Sequence, residues 1–223
     1  RFNTDIGRLE VWRNDHWAAI LGEKSATDSS RAFFGGGYTQ SGTPSSNAIE
    51  YVSILTTGNT VDFGDLTRED SSGPAACSSS TRGIWAGGNT TNTIDFITFT
   101  TTGNAENFGD LTRASHEPIA CSDSSRGVIF ISGSTAPAGY TDNIDFVTMA
   151  SAGNAADFGN LSQGNSAGSA LSNRTRGIVH TGGVAPASGN NTLEYVAIQS
   201  TGNATDFGDL AQGGSDGKRN FTG

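Results

Sequence analysis

An all-β fold built from repeated four-stranded sheets is what this sequence predicts, and three observations predict it. One segment recurs four times: Ile49-Glu50-Tyr51, Ile94-Asp95-Phe96, Ile144-Asp145-Phe146 and Leu193-Glu194-Tyr195 each precede a Gly-Asn and then a Phe-Gly at fixed offsets. Successive copies lie 45, 50 and 49 residues apart, a period that, with this Gly-rich and strand-forming composition, points to a propeller-type array. No stretch carries helical periodicity of useful length, whereas short strand-forming runs alternate with Gly, Ser and Asn turns.

The third copy shows the unit. Pro118 to Ser122 is a short apolar run, strand a. Asp123-Ser124-Ser125-Arg126 is turn chemistry, because Asp and Ser side chains cap backbone amides in tight turns. Gly127 to Gly133 is strand b, apolar throughout and so buried on both faces. After a loop, Ile144 to Met149 alternates as a half-buried strand c should, Gly153-Asn154 turns the chain, and Ala156 to Leu161 is strand d. The strand b segments of the other copies begin at Arg31, Arg82 and Arg176. From that Arg to the Ile or Leu of strand c there are 18, 12, 18 and 17 residues, so the b–c loop varies while the c–d segment holds its length. Packing fixes scaffold lengths; a surface loop is free to change.

The whole chain, residues 1–223, reads as one domain, because one sheet cannot bury its own apolar faces without neighbours. The four repeats occupy 25–66, 76–111, 119–161 and 169–210. The two ends are expected to compose a fifth four-stranded blade. Leu9-Glu10-Val11-Trp12 follows the strand c pattern, Trp17 to Ile20 serves as strand d within residues 1–20, and Lys218 to Thr222 supplies strand a within 211–223. Strand b of that blade has no candidate. Full closure would remove exposed sheet edges.

The formal charge is −9, and an acidic chain with no basic patch is a poor ligand for a nucleic-acid backbone. No apolar run approaches the ~20 residues of a membrane span, so no membrane insertion is expected. Arg1-Phe2-Asn3-Thr4-Asp5 shows neither a secretion pattern nor an initiator Met, which fits an excised part of a longer chain. The two cysteines, Cys77 and Cys121, hold one repeat position that Ala26 and Leu171 fill elsewhere, the pattern of a small apolar core site rather than a disulfide or a zinc ligand pair.

Several residue types recur in ways that admit a functional and a structural reading. Arg31, Arg82, Arg126 and Arg176 mark each a–b turn. A ring of guanidinium groups would suit an acidic ligand; alternatively each Arg ties its turn to the neighbouring turn or blade, and recurrence with the repeat favours this structural role. Phe63, Phe108, Phe158 and Phe207 recur in strand d as a structural landmark. Carboxylates recur at Glu50, Asp95, Asp145 and Glu194 in strand c and at Asp65, Asp110 and Asp209 after Phe-Gly, with Asn160 breaking the series. They lack the close spacing of a calcium loop and are expected in turn caps or on solvated strand faces. His16, His116 and His180 form no constellation, and no nucleophile elbow, phosphate loop or zinc motif is visible. The expectation is therefore a non-enzymatic protein with no catalytic residues, no metal and no cofactor. The candidate binding surface is the b–c loop face: Tyr38, Gln40, Ser46 and Asn47; Asn89 and Asn92; Tyr140, Asp142 and Asn143; Asn190 and Asn191. Aromatic and amide side chains together suit sugar recognition, although ordinary polar loops have the same composition.

Two resemblances add to this reading. The Gly-Gly pairs Gly35-Gly36, Gly87-Gly88 and Gly182-Gly183 ending strand b, followed by aromatic residues in strands c and d, resemble the kelch repeat of β-propellers over residues 25 to 210. Ser132-Gly133 departs from that pattern, and Phe stands where kelch repeats usually have Trp in the last strand. The kelch likeness implies fold and is nearly silent on function. The segment Arg1 to Trp12, closing with His16-Trp17, resembles a short module of tailed-bacteriophage fibre and other virion proteins. The phrase Thr-Gly-Asn-x-x-Asp-Phe-Gly-Asp-Leu at Thr57 to Leu66 and Thr201 to Leu210 is similar to repeats in structural proteins of marine, especially cyanobacterial, phages. These likenesses imply a virion protein of an extracellular particle that binds other virion proteins or a host-surface glycan or protein, as a receptor-binding tail-fibre component does, and they admit a homo-oligomer. A free lectin-like carbohydrate-binding propeller is the alternative, and a propeller hydrolase or oxidase a third.

Overall fold

Asp123 shows how each repeat starts. Its Oδ1 accepts hydrogen bonds from the backbone N–H groups of Ser125 and Arg126, both at 2.7 Å, and so folds the chain back on itself between strands a and b. Asn173 Oδ1 does the same for Thr175 and Arg176, and Ser79 Oγ for Thr81 and Arg82. A turn residue with a short acceptor therefore sets every described a–b hairpin.

The computed structural model describes residues 2–3, 8–13, 16–19, 30–37, 45–133, 140–166, 168–182 and 190–214; side chains are described within these from residue 30 onward, apart from 190 and 212–214. The described residues are all-β, with no helix. Fifteen strands make four antiparallel sheets. Sheet one contains β4 (Arg31–Gly35), β5 (Ser46–Ser53) and β6 (Val61–Asp70). Sheet two contains β7 (Ala75–Ser78), β8 (Arg82–Ala86), β9 (Thr91–Thr98) and β10 (Glu106–Ser115). Sheet three contains β11 (Ile119–Ser122), β12 (Arg126–Phe130), β13 (Thr141–Thr148) and β14 (Ala156–Asn165). Sheet four contains β15 (Ser169–Ser172), β16 (Arg176–His180), β17 (Asn190–Ala197) and β18 (Thr205–Gly214). Strand order in space follows the chain, a meander. Strand a of sheet one, expected near residue 25, lies outside the described residues, as do the expected C-terminal strand at 218–222 and His16's side chain.

A further short sheet precedes these: β1 (Phe2–Asn3), β2 (Arg8–Arg13) and β3 (His16–Ala19), in that order. Its pairing copies the repeat. Phe2 faces Leu9 as Phe130 faces Ile144 and His180 faces Leu193. Glu10 faces Ala19 as Asp145 faces Asp157 and Glu194 faces Asp206. β1 thus takes the strand b place on β2, where no strand was expected.

Two boundaries differ from expectation. Strand d continues past Leu66, Leu111, Leu161 and Leu210 to Asp70, Ser115, Asn165 and Gly214, and strand c begins earlier, at Ser46, Thr91, Thr141 and Asn190. The pairing shifts register and then resumes, with Ser46 opposite Asp70 and Thr141 opposite Asn165. A bulge absorbs the extra strand d residues, and polar residues without alternation hide such an extension.

Among the described residues, sheets stack face to face through three apolar cores. Ile49, Phe63 and Leu66 of sheet one meet Trp85, Ile97 and Phe99 of sheet two. Ile84, Ile94 and Phe108 of sheet two meet Ile129, Val147 and Met149 of sheet three. Val128, Phe130 and Phe158 of sheet three meet Val179, Val196 and Ile198 of sheet four. Strand b is buried on both faces in sheets two and three, as its unbroken apolar sequence requires. The first strands β7, β11 and β15 lie side by side, joined by a serine ladder. Ser122 Oγ donates to the Ser78 carbonyl and Ser172 Oγ to the Ser122 carbonyl, each at 2.8 Å.

Candidate functional site

The polar residues that recur with the repeat converge on the seams between sheets. Arg31, Arg82 and Arg126 each donate across a seam to the backbone carbonyl just beyond strand c of the next sheet: Phe99 at 2.8 Å, Met149 at 3.2 Å and Ile198 at 3.0 Å. Each guanidinium also lies over the aromatic ring of its own strand c, for example Arg126 4.4 Å from the Phe146 ring centre and Arg82 4.8 Å from that of Phe96. Arg176 stacks on Tyr195 at 4.7 Å, but no described carbonyl receives it.

The strand c carboxylates work in the opposite direction. Asp95 accepts from the N–H and hydroxyl of Thr67 in the preceding sheet, at 3.0 and 2.7 Å. Asp145 accepts from the N–H and hydroxyl of Thr112, both at 2.8 Å. Glu194 accepts from the N–H of Ser162 at 3.0 Å, and its other oxygen has no partner among the described residues. The expectation of solvated strand faces is thereby corrected: Asp95, Asp145 and Glu194 are buried, because strand d of the preceding sheet covers them. Glu50, at the same position in sheet one, is exposed. Burial pushes the Asp145 carboxyl above its ordinary value, and the two hydrogen bonds from Thr112 offset only part of this.

The c–d turn completes each seam. Asn104, Asn154 and Asn203 accept through Oδ1 from the N–H groups of Asp65, Asp110 and Asn160, each at 3.1 Å. Gly103, Gly153 and Gly202 donate N–H to the carbonyls of Phe63, Phe108 and Phe158. This close approach explains the Phe-Gly pairs. Gly64, Gly109 and Gly159 have φ near +150°, and an added Cβ would overlap the carbonyl of Gly103, Gly153 or Gly202. The turn Gly at 58 and 153 meets nothing within 4 Å.

Sequence reasoning missed one more polar position, the last described side chain of strand d. Buried Asp70 pairs with Arg68 at 2.7 Å, and Arg68 reaches the Gly87 carbonyl at 2.5 Å. Buried Ser115 donates to the Ser132 carbonyl at 3.0 Å, and Asn165 to that of Phe130 at 3.3 Å. Asp, Ser and Asn share no pattern that a single sequence would flag.

The cysteines sit at the seams too, and both are free. The Cys77 sulfur occupies space that a Cβ on Gly127 would need, and the Cys121 sulfur does so at Gly177. Burial pushes the Cys121 thiol up to about 12 and raises that of Cys77 as well.

The b–c connections and the d–a connections emerge at one end of the sheets. Gly37 N–H donates to the Asp70 carbonyl at 2.7 Å, and Asn89 N–H bonds Ser72 Oγ. Between the starts of β7, β11 and β15 this end holds a cavity of about 370 Å³, flanked by Ser72, Pro74, Glu117, Pro118 and Gly168. Tyr38 and Gln40 lie outside the described residues. Asn89 is exposed in a turn with φ of 47°, and Tyr140 is 43% exposed. Ser46, Asn47, Asn92, Asp142, Asn143, Asn190 and Asn191 lie in strand c rather than in loops, because strand c starts early. Among them, Asn47, Asn92, Asp142 and Asn191 occupy one register position on four strands, two residues before the buried or half-buried Ile or Leu. Asn92, Asp142 and Asn191 are exposed there. Asn143 is half-buried and accepts from the Thr141 hydroxyl at 2.6 Å. Among the described residues, no three His, Cys, Asp or Glu side chains are grouped to hold a metal ion.

No family model matches the chain, and comparison with curated proteins yields no match.

Proposed function

We propose that the chain is a non-enzymatic structural or adhesion module of a tailed-phage virion. In this reading the repeats form a kelch-like β-propeller of five blades, the last composed from both termini, whose b–c end meets a host surface or a neighbouring virion protein. One observation carries the proposal. The recurring arginines, carboxylates and asparagines are engaged between sheets, while the b–c end holds the connections that vary in length and an exposed polar position repeated on three strands. Scaffold and display surface are thus separated, as an appendage module requires. Immunogold electron microscopy tests this with antibody raised to the recombinant chain and particles produced by its source genome. Gold on the tail or fibre is expected. Purified particles lacking the chain by mass spectrometry would overturn the proposal.

A second reading, a free lectin-like propeller, draws on Tyr140. This ring is exposed beside Asp142 at the variable end, an aromatic and a hydrogen-bonding group suited to a sugar face. A glycan array on the isolated chain, with Tyr140→Ala as control, separates specific sugar binding from none.

A further inference from the structure

Among the described residues, the seam set is made in full three times, and a fourth copy stands half-made on sheet four. Phe207 is 48% exposed, where Phe63, Phe108 and Phe158 at the same position are 1 to 2% exposed. Gly208 keeps a φ of +131°, yet a Cβ there would meet nothing within 4 Å. Arg176 is exposed, whereas Arg82 and Arg126 are half-buried against their carbonyl partners. Sheet one has the reciprocal gap: Phe34 is 56% exposed where Trp85, at the same position in sheet two, is 5% exposed. Glu50 is exposed where Asp95 and Asp145 are buried. An exposed Phe at one end and an exposed Phe at the other are the two sides of one missing layer.

The chain itself holds an occupant that fits. The β1–β3 sheet repeats the b–c–d register, with Glu10 at the position of Asp95, Asp145 and Glu194. In each complete seam that carboxylate receives the N–H of the residue four places after the strand d Phe: Thr67, Thr112 and Ser162. On β18 that residue is Ala211. Alanine keeps the N–H donor and lacks the hydroxyl that Thr67 and Thr112 add. We infer that the N-terminal sheet of the same chain seats on the exposed face of sheet four, which sets the Glu10 register position opposite the Ala211 N–H as a latch. This deepens the propeller reading and rests on it.

Hydrogen exchange of the full chain, read at single amides by NMR, tests the latch. The Ala211 N–H should exchange about as slowly as the Thr112 N–H. Glu10→Ala should speed Ala211 at least tenfold and leave Thr112 unchanged, and Glu10→Asp should keep most of the protection. Ala211→Thr supplies the missing hydroxyl and should slow exchange at 211 in the Glu10 chain, but not in the Glu10→Ala chain. Fast exchange at Ala211 with Thr112 protected would overturn the latch while the array stands. Fast exchange at both would overturn the propeller reading itself. Protection at Ala211 that rises with protein concentration, with a doubled mass in sedimentation, would assign the face to a second copy and overturn closure within one chain.

Discussion

Replacing Gly109 by Ala and, separately, Gly208 by Ala separates backbone strain from seam packing. Both glycines follow the strand d Phe and both have positive φ, +152° and +131°. A side chain in such a sparsely populated conformation costs about 1–3 kcal/mol. At Gly208 that is the whole expected cost, because nothing lies within 4 Å of an added Cβ. At Gly109 the new Cβ overlaps the Gly153 carbonyl and forces the turn away. Three hydrogen bonds then go: Gly153 N–H to Phe108 O at 2.7 Å, Ala155 N–H to Asp110 O at 2.8 Å, and Asp110 N–H to Asn154 Oδ1 at 3.1 Å. At about 0.5–1.5 kcal/mol each, they add about 1.5–4.5 kcal/mol. Gly109→Ala should therefore cost roughly 2.5–7.5 kcal/mol against about 1–3 for Gly208→Ala. Urea unfolding with a shared m-value reads the difference. Equal costs for the two variants would refute the seam argument.

Other residues give sharper or simpler tests. Cys77 and Cys121 should resist a thiol-disulfide reagent at pH 8 in the folded chain and react fully in denaturant, since burial raises both thiols; rapid stoichiometric labelling of the native protein would contradict this. Gly177→Ala should destabilise through the Cys121 sulfur, and Cys121→Ala should rescue it in part, with a coupling of about 1 kcal/mol or more in a double-mutant cycle. Asp145 has a raised carboxyl, so folding favours its protonated form, and its contribution to stability falls as pH climbs from the ordinary 3.8 through the raised folded value. The stability difference between the natural chain and Asp145→Asn should accordingly shift toward the natural chain as pH is lowered through that range; a flat difference would contradict the burial. Asp123 behaves oppositely. Burial pushes it up, but hydrogen bonds from Gln199, Ser125 and Arg126 outweigh that and hold it below 3.8. Its contribution is present above 3.8 and is lost as pH falls through the lowered value.

Much of the sheet pattern was legible because strand identity follows local rules. The apolar strand b runs, the Asp123-type turn caps and the Gly-Asn turns each declare themselves in a few residues. The roles of Asp95 and Asp145 did not. A carboxylate in an alternating strand looks solvated until the partner is known, and Thr67 and Thr112 lie in the preceding repeat. The need for Gly64 and Gly109 was hidden similarly, since the obstructing carbonyl comes from the next turn. The extension of strand d to Asp70 and Asn165 passes through a bulge that erases the two-residue period. At the b–c end, length variation was readable. The shared register of Asn47, Asn92, Asp142 and Asn191 emerges only when strand c is seen to start three residues early.

A double-mutant cycle between Thr112→Val and Asp145→Asn tests most directly whether the recurring polar residues join one sheet to the next. The hydroxyl of Thr112 meets the Asp145 carboxylate at 2.8 Å across the seam. A charged hydrogen bond of this kind predicts a coupling of about 1.5–3 kcal/mol. Costs that add to within about 0.3–0.5 kcal/mol would show the two side chains to be independent, and the recurring carboxylate would then not join one sheet to the next.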